Sequence, residues 1–152
     1  MKLINFFQKL FPSKDNLELE VDPDVLIKEI ETKRGKHKVI AAVTLFIDMA
    51  SVDSDFSYDE YEYIMDKIVT NFNLSKNEAN KLVHKAEEVV KYPKVVDRYA
   101  KLLRDEASVE ERITILNIID NIITSDKNVS EFEKRLRSKF EKSLSIKVTP
   151  NF

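Results

Sequence analysis

Residues 39–60 read VIAAVTLFIDMASVDSDFSYDE, and this stretch is the most informative about the architecture of the chain. The run from Val39 to Ala50 is almost wholly apolar, and its apolar residues recur at spacings of three and four, which predicts a buried, central helix. An acidic turn follows it. Ser57 then stands three residues before Glu60, which is the capping-box arrangement that begins a helix. The stretch therefore predicts a buried helix, a short loop and a second helix.

The same S-x-x-E signal begins at four serines, each followed by apolar residues at helical spacing: Ser57, Ser75, Ser108 and Ser130. Two further helices have other starts, because Asp22 precedes a proline at a first helical position and Pro93 begins another apolar stripe. Together with the helix from Val39, this predicts about seven helices between residues 23 and 144. The fold class is all-α, a compact bundle with short loops.

The composition excludes several classes of site. The 152 residues include no Cys, so thiol catalysis, zinc–thiolate sites and disulfides are excluded. The single Gly excludes glycine-rich phosphate loops. Two His are too few for a histidine-based metal centre, and His37, placed between two lysines, is expected to be exposed. The net charge of −2 argues against nucleic acid as a partner.

The first fourteen residues differ from the rest. Residues 1–14 are predicted to contain a short amphipathic helix, with Phe7 and Leu10 on one face and Lys9 on the other. Such a helix either contacts a membrane through residues 1–11 or folds back over the core. Residues 15–21 are assigned as a linker, 22–147 as the helical domain and 148–152 as a tail.

An internal repeat connects the two halves of the helical domain at an offset of 73 residues. Residues 50–60 read ASVDSDFSYDE and residues 123–133 read ITSDKNVSEFE. Both fit the pattern D-x-[DN]-apolar-S-x-x-E, and both follow an apolar helix and precede an amphipathic one. The pattern predicts two helix–loop–helix units related by pseudo-symmetry, whose apolar helices pack together.

This repeat resembles the TerB-like (tellurite-resistance protein B) domains, whose signature is an apolar helix, an Asp-Gly turn, an apolar residue and a Glu, twice per chain. The first copy carries it as Asp53, Phe56 and Glu60, and the second as Asp126, Val129 and Glu133. The resemblance spans residues 36–146. The Gly of the family pattern is Ser54 in the first copy and Lys127 in the second.

The resemblance implies that clustered acidic residues bind a metal ion. The candidate ligands, all with hard oxygen donors, are Asp53, Asp55, Glu60, Asp126, Asn128 and Glu133. The candidate ions are calcium, magnesium, manganese and zinc. The alternative is that the two Glu only cap helices and that the two motif Asp only shape turns.

Two charged stretches indicate interaction surfaces. Residues 48–66 contain seven acids and no base, so we expect a protein partner on this acidic face. Residues 134–147 contain six bases and one acid. This basic stretch either faces the acidic first unit or docks a separate acidic partner.

No catalytic constellation is visible in the sequence, so we expect a domain that is not an enzyme. The resemblance implies a bacterial stress-response role of the tellurite-resistance type, with divalent-cation binding through the repeated loops. The alternative is an adaptor for proteins or for a membrane surface, with no ion site. We expect a cytoplasmic protein, peripheral to the inner face of the membrane if residues 1–11 act as an anchor.

Overall fold

Six α-helices form the part of the chain that the structure, a computed structural model, describes: residues 37–52, 57–125, 128–150 and 152. The helices are α1 (His37–Ser51), α2 (Tyr58–Phe72), α3 (Lys76–Val89), α4 (Pro93–Glu106), α5 (Val109–Thr124) and α6 (Glu131–Ser143). These residues contain no strand, so the all-α bundle is confirmed. The helices predicted from Pro23 and within residues 1–14 lie outside the described residues.

The four predicted capping boxes are all present. In each, the serine hydroxyl accepts a hydrogen bond from the third helical N–H, and the glutamate carboxylate accepts one from the serine N–H. α4 begins differently, with Pro93 at its first position and no side-chain cap. Because a capping box satisfies two otherwise unpaired N–H groups, it fixes where each of these helices begins.

α1 is the central helix of the bundle, as its apolar sequence predicts. It packs against each of the other five helices. Ile40, Phe46 and Ile47 are fully buried, and so is Thr44, whose hydroxyl donates to the carbonyl of Ile40 at 2.8 Å. An apolar helix with all sides covered holds the surrounding amphipathic helices in place, because each turns its apolar stripe toward it.

His37 is buried, so the expectation that it is exposed is wrong. Its imidazole Nε2 contacts the carboxylate of Glu106 at the end of α4. The contact places the start of α1 beside the end of α4, so the ring is covered although lysines flank it in the sequence. Among the described helices, none has the combination of length and apolar content that crossing a bilayer requires.

Candidate functional site

The predicted metal ligands divide into two groups. Asp53, Asp55 and Asp126 lie outside the described residues. Glu60, Asn128 and Glu133 are described, and the first and last of them lie at the third position of α2 and α6. The structure therefore shows where the two glutamates lie, whereas the role of the motif aspartates as metal ligands stays a prediction.

Both motif glutamates act as helix caps. Oε1 of Glu60 accepts from the Ser57 N–H at 3.3 Å, and Oε1 of Glu133 accepts from the Ser130 N–H at 2.9 Å. Glu133 is buried, whereas Glu60 is partly exposed. Capping uses one oxygen of each carboxylate, so a cation ligated by either residue must use the other oxygen or displace the cap.

Within the residues described, no three His, Asp or Glu side chains come together in an arrangement that could hold a metal ion. The described members of the candidate set are one amide and two capping carboxylates. Completing a hard-cation site of six or more oxygens there needs the aspartates of the two loops.

Among the described residues of the acidic face, the exposed acids lie on α2. Asp59, Glu62 and Asp66 recur at spacings of three and four, so they share one side of the helix. All three are exposed, and the described residues include no ion-pair partner for any of them. Tyr58, 73% exposed, precedes Glu62 by four residues and so lies beside them on the helix. The Glu62 carboxylate raises the pKa of the Tyr58 hydroxyl.

Asp48 is the acidic residue whose environment is most unusual. It lies in the last turns of α1, and burial raises its pKa to about 6. Asp97 on α4 raises it further, while Lys139 on α6 opposes the rise. Nζ of Lys139 lies 2.9 Å from a carboxylate oxygen of Asp97, so three helices contribute to this cluster. A carboxyl group with this pKa is half protonated at about pH 6.

A second cluster joins α5, α6 and the C-terminal segment. Nε and one Nη of Arg137 donate to the two carboxylate oxygens of Asp120 at 2.8 and 3.1 Å, a bidentate pair that is almost fully buried. The guanidinium also binds Glu141 at 2.9 Å and the carbonyl of Val148 at 2.7 Å. Glu141 in turn accepts from the Val148 N–H at 3.0 Å. Arg137 therefore has a structural role and is not part of an exposed docking surface.

A family profile described as "Tellurite resistance protein TerB" matches residues 39–149, which is most of the chain. The chain belongs to the TerB family. The match begins within α1 and ends after α6, so it contains nearly all of the described bundle. No curated protein and no solved structure matches the chain.

Sequence reasoning missed both charged clusters in this TerB domain. Asp120 is a sequence signal for a buried ion pair, because a carboxylate inside the apolar run from Ile115 to Ile123 needs a buried partner. Arg137 is a second signal for such a pair, because the offset of 73 aligns it with the apolar Ile64 of the first copy. No sequence signal indicates Asp97, which becomes relevant only because α4 packs beside α6.

Proposed function

We propose that this TerB domain is a non-enzymatic interaction module of a bacterial stress-response system of the tellurite-resistance type, and that it binds a protein partner through the acidic face. The observation that carries the proposal is the row of three exposed carboxylates on α2, Asp59, Glu62 and Asp66, without neutralising cations among the described residues. Such a row favours a partner surface rich in Lys and Arg, because complementary charge accelerates encounter and suppresses wrong partners.

Tyr58 supports the same reading. An exposed aromatic ring beside a charged row supplies apolar contact area, and tyrosine is enriched at protein interfaces. Tyr58 and Glu62 are four residues apart at the start of α2, so a single partner surface can contact both. A partner that covers the ring would exclude water from the neighbouring carboxylates and strengthen its own ion pairs with them.

Charge reversal tests the partner proposal. The full chain and the triple variant Asp59→Lys, Glu62→Lys, Asp66→Lys are used to capture proteins from a bacterial lysate. Each captured protein is then purified and titrated by calorimetry. The matched control reverses three exposed acids elsewhere, Glu88→Lys, Asp105→Lys and Glu110→Lys. The proposal expects a purified partner that binds the wild type and the control but not the α2 variant. A partner that binds all three proteins equally contradicts it.

A divalent cation bound by the repeated loops is the second part of the proposal. Hard oxygen donors and an acidic surface favour calcium, magnesium, manganese or zinc. The alternative, an adaptor with no ion site that contacts proteins or a membrane through residues 1–11, uses the same glutamates only as caps. The two readings differ in a single property, which is saturable ion binding.

Titration of each ion, followed by calorimetry and thermal shift, separates them. Wild type is compared with the double variant Asp53→Asn, Asp126→Asn, which removes ligand charge and leaves the capping glutamates in place. Saturable binding that the double variant lacks supports an ion site. Absence of heat and of thermal shift in the wild type supports the alternative, an adaptor with no ion site.

A further inference from the structure

α6 carries a basic face that is separate from the acidic face and from residues 1–11. Its inner side packs Phe140 into the core, and its outer side lines an open depression of about 540 Å³. The lining consists of four cations and two hydroxyl groups: Lys134, Arg135, Ser138, Lys139, Lys142 and Ser143. None of the described carboxylates lines this depression, so its lining is positively charged although the chain as a whole carries a charge of −2.

Two of the four cations are already paired at the rim. Lys134 lies 3.4 Å from Glu131, and Lys139 lies 2.9 Å from Asp97. Arg135 and Lys142 are exposed and have no carboxylate partner among the described residues. They are seven residues apart, so about two helical turns and roughly 10 Å of helix separate them along one side.

An aromatic ring extends the same face. Phe132 is 61% exposed, and it precedes Arg135 by three residues, so the two side chains are neighbours on the helix surface. Bulky apolar residues next to a row of Lys and Arg are typical of helices that lie in a membrane interface. The depression is open, which suits a planar partner better than an inserted peptide.

We propose that this basic face of α6, with Phe132 at its edge, binds the anionic headgroups of a phospholipid membrane. Arg135 and Lys142 supply charge that none of the described carboxylates neutralises, and Ser138 between them can donate a hydrogen bond to a phosphate oxygen. Attraction of Lys and Arg to an anionic leaflet is local and falls off within a Debye length, so a face of this kind acts even on a chain of negative net charge.

The test measures flotation of the full chain with vesicles of phosphatidylcholine, alone or mixed with phosphatidylglycerol, at low and at high salt. Two variants carry the same change of charge. Arg135→Gln with Lys142→Gln alters the basic face, and Lys81→Gln with Lys101→Gln alters exposed positions on α3 and α4. A third variant, Phe132→Ser, removes the ring.

We expect the wild type to bind only the anionic vesicles and to release them at high salt. The basic-face variant should bind about 30-fold more weakly, since each cation near an anionic surface contributes about fivefold. The control should stay within about twofold of the wild type on the same scale, and Phe132→Ser should weaken binding without removing its salt dependence.

Several results would overturn the proposal. They are absence of binding to anionic vesicles at low salt, equal binding to neutral vesicles, and equal losses in the basic-face and control variants. A fourth is self-association in sedimentation velocity that Arg135→Gln with Lys142→Gln abolishes while vesicle binding is absent. That result would assign the face to an acidic protein surface.

Discussion

Replacing Arg137 by Ile should destabilise the domain strongly, because it leaves a buried carboxylate without its cation. The side chain of Asp120 is 4% exposed, and both of its oxygens accept from Arg137. Removing one member of a buried ion pair costs about 3 to 5 kcal/mol. The bonds to Glu141 and Val148 are lost as well. We expect the free energy of unfolding to fall by about 4 to 5 kcal/mol, near the upper end of that range.

The companion variants sharpen this expectation. Asp120→Ile alone leaves Arg137 bound to Glu141 and to the Val148 carbonyl, so it should cost less, about 2 to 3 kcal/mol. The double variant Arg137→Ile, Asp120→Ile reproduces the pair that the offset of 73 places in the first copy, Ile47 and Ile64, both fully buried. It leaves no unpaired buried charge from this pair, so its cost should be only about 1 to 2 kcal/mol.

Urea unfolding followed by far-ultraviolet circular dichroism at neutral pH measures these differences, provided that all proteins give the same dependence on urea. Arg135→Ile makes the same chemical change on the exposed side of α6 and should stay within about 0.5 kcal/mol of the wild type. The decisive result is the order of stability. A double variant no more stable than Arg137→Ile, or a loss below about 1 kcal/mol for Arg137→Ile, would refute the reasoning.

Three further predictions concern single positions. The pKa of Asp48 is raised to about 6 from 3.8, so the folded state holds this proton more tightly and wild-type stability falls as pH rises from about 4 through 6. Asp48→Asn removes that loss, so between pH 4.5 and 7.5 its free energy of unfolding should rise by about 1 kcal/mol relative to that of the wild type, after allowance for solvent screening. The control Asp66→Asn should show the same pH dependence as the wild type. Ser108→Ala removes the cap of α5 and should cost about 1 kcal/mol in urea unfolding, and an unchanged midpoint would show that the box contributes nothing. Phe140→Ala should cost about 3 to 5 kcal/mol because the ring is buried, whereas Phe132→Ala should cost less than about 0.5 kcal/mol; similar thermal midpoints for the two would contradict the burial assigned to them.

The helices could be predicted from the sequence because their signals are local. Each capping box lies within four residues, and its geometry depends only on the serine, the glutamate and the backbone between them. The central position of α1 followed in the same way, since a helix that is apolar on all sides must be covered on all sides. The prediction of His37 failed because its burial depends on tertiary packing, and the residue that its ring contacts, Glu106, is distant in sequence.

The buried charges could not be paired from the sequence, since pairing depends on how the helices cross. In the sequence, Asp120 and Arg137 each stand at a position where an apolar residue is expected, but neither residue indicates its partner. Asp48, Asp97 and Lys139 come from three helices, and only the packing of α1, α4 and α6 brings them together. The acidic stretch 48–66 was recognised because a run of seven acids without a base needs no tertiary contact to be seen.

The pairing of Asp120 with Arg137 also bears on how two similar helix pairs avoid exchanging their members. The two copies share cap sequences, and α1 and α5 share apolar spacing, so α2 and α6 are alternative neighbours for α1 and α5. Under the offset of 73, an exchanged arrangement would set Arg137 against Ile47 and Asp120 against Ile64, so Asp120 would be buried without its cation. That arrangement is penalised whether the mispairing occurs within one chain or between two, so the ion pair disfavours mispairing of these helices as well as joining α5 to α6.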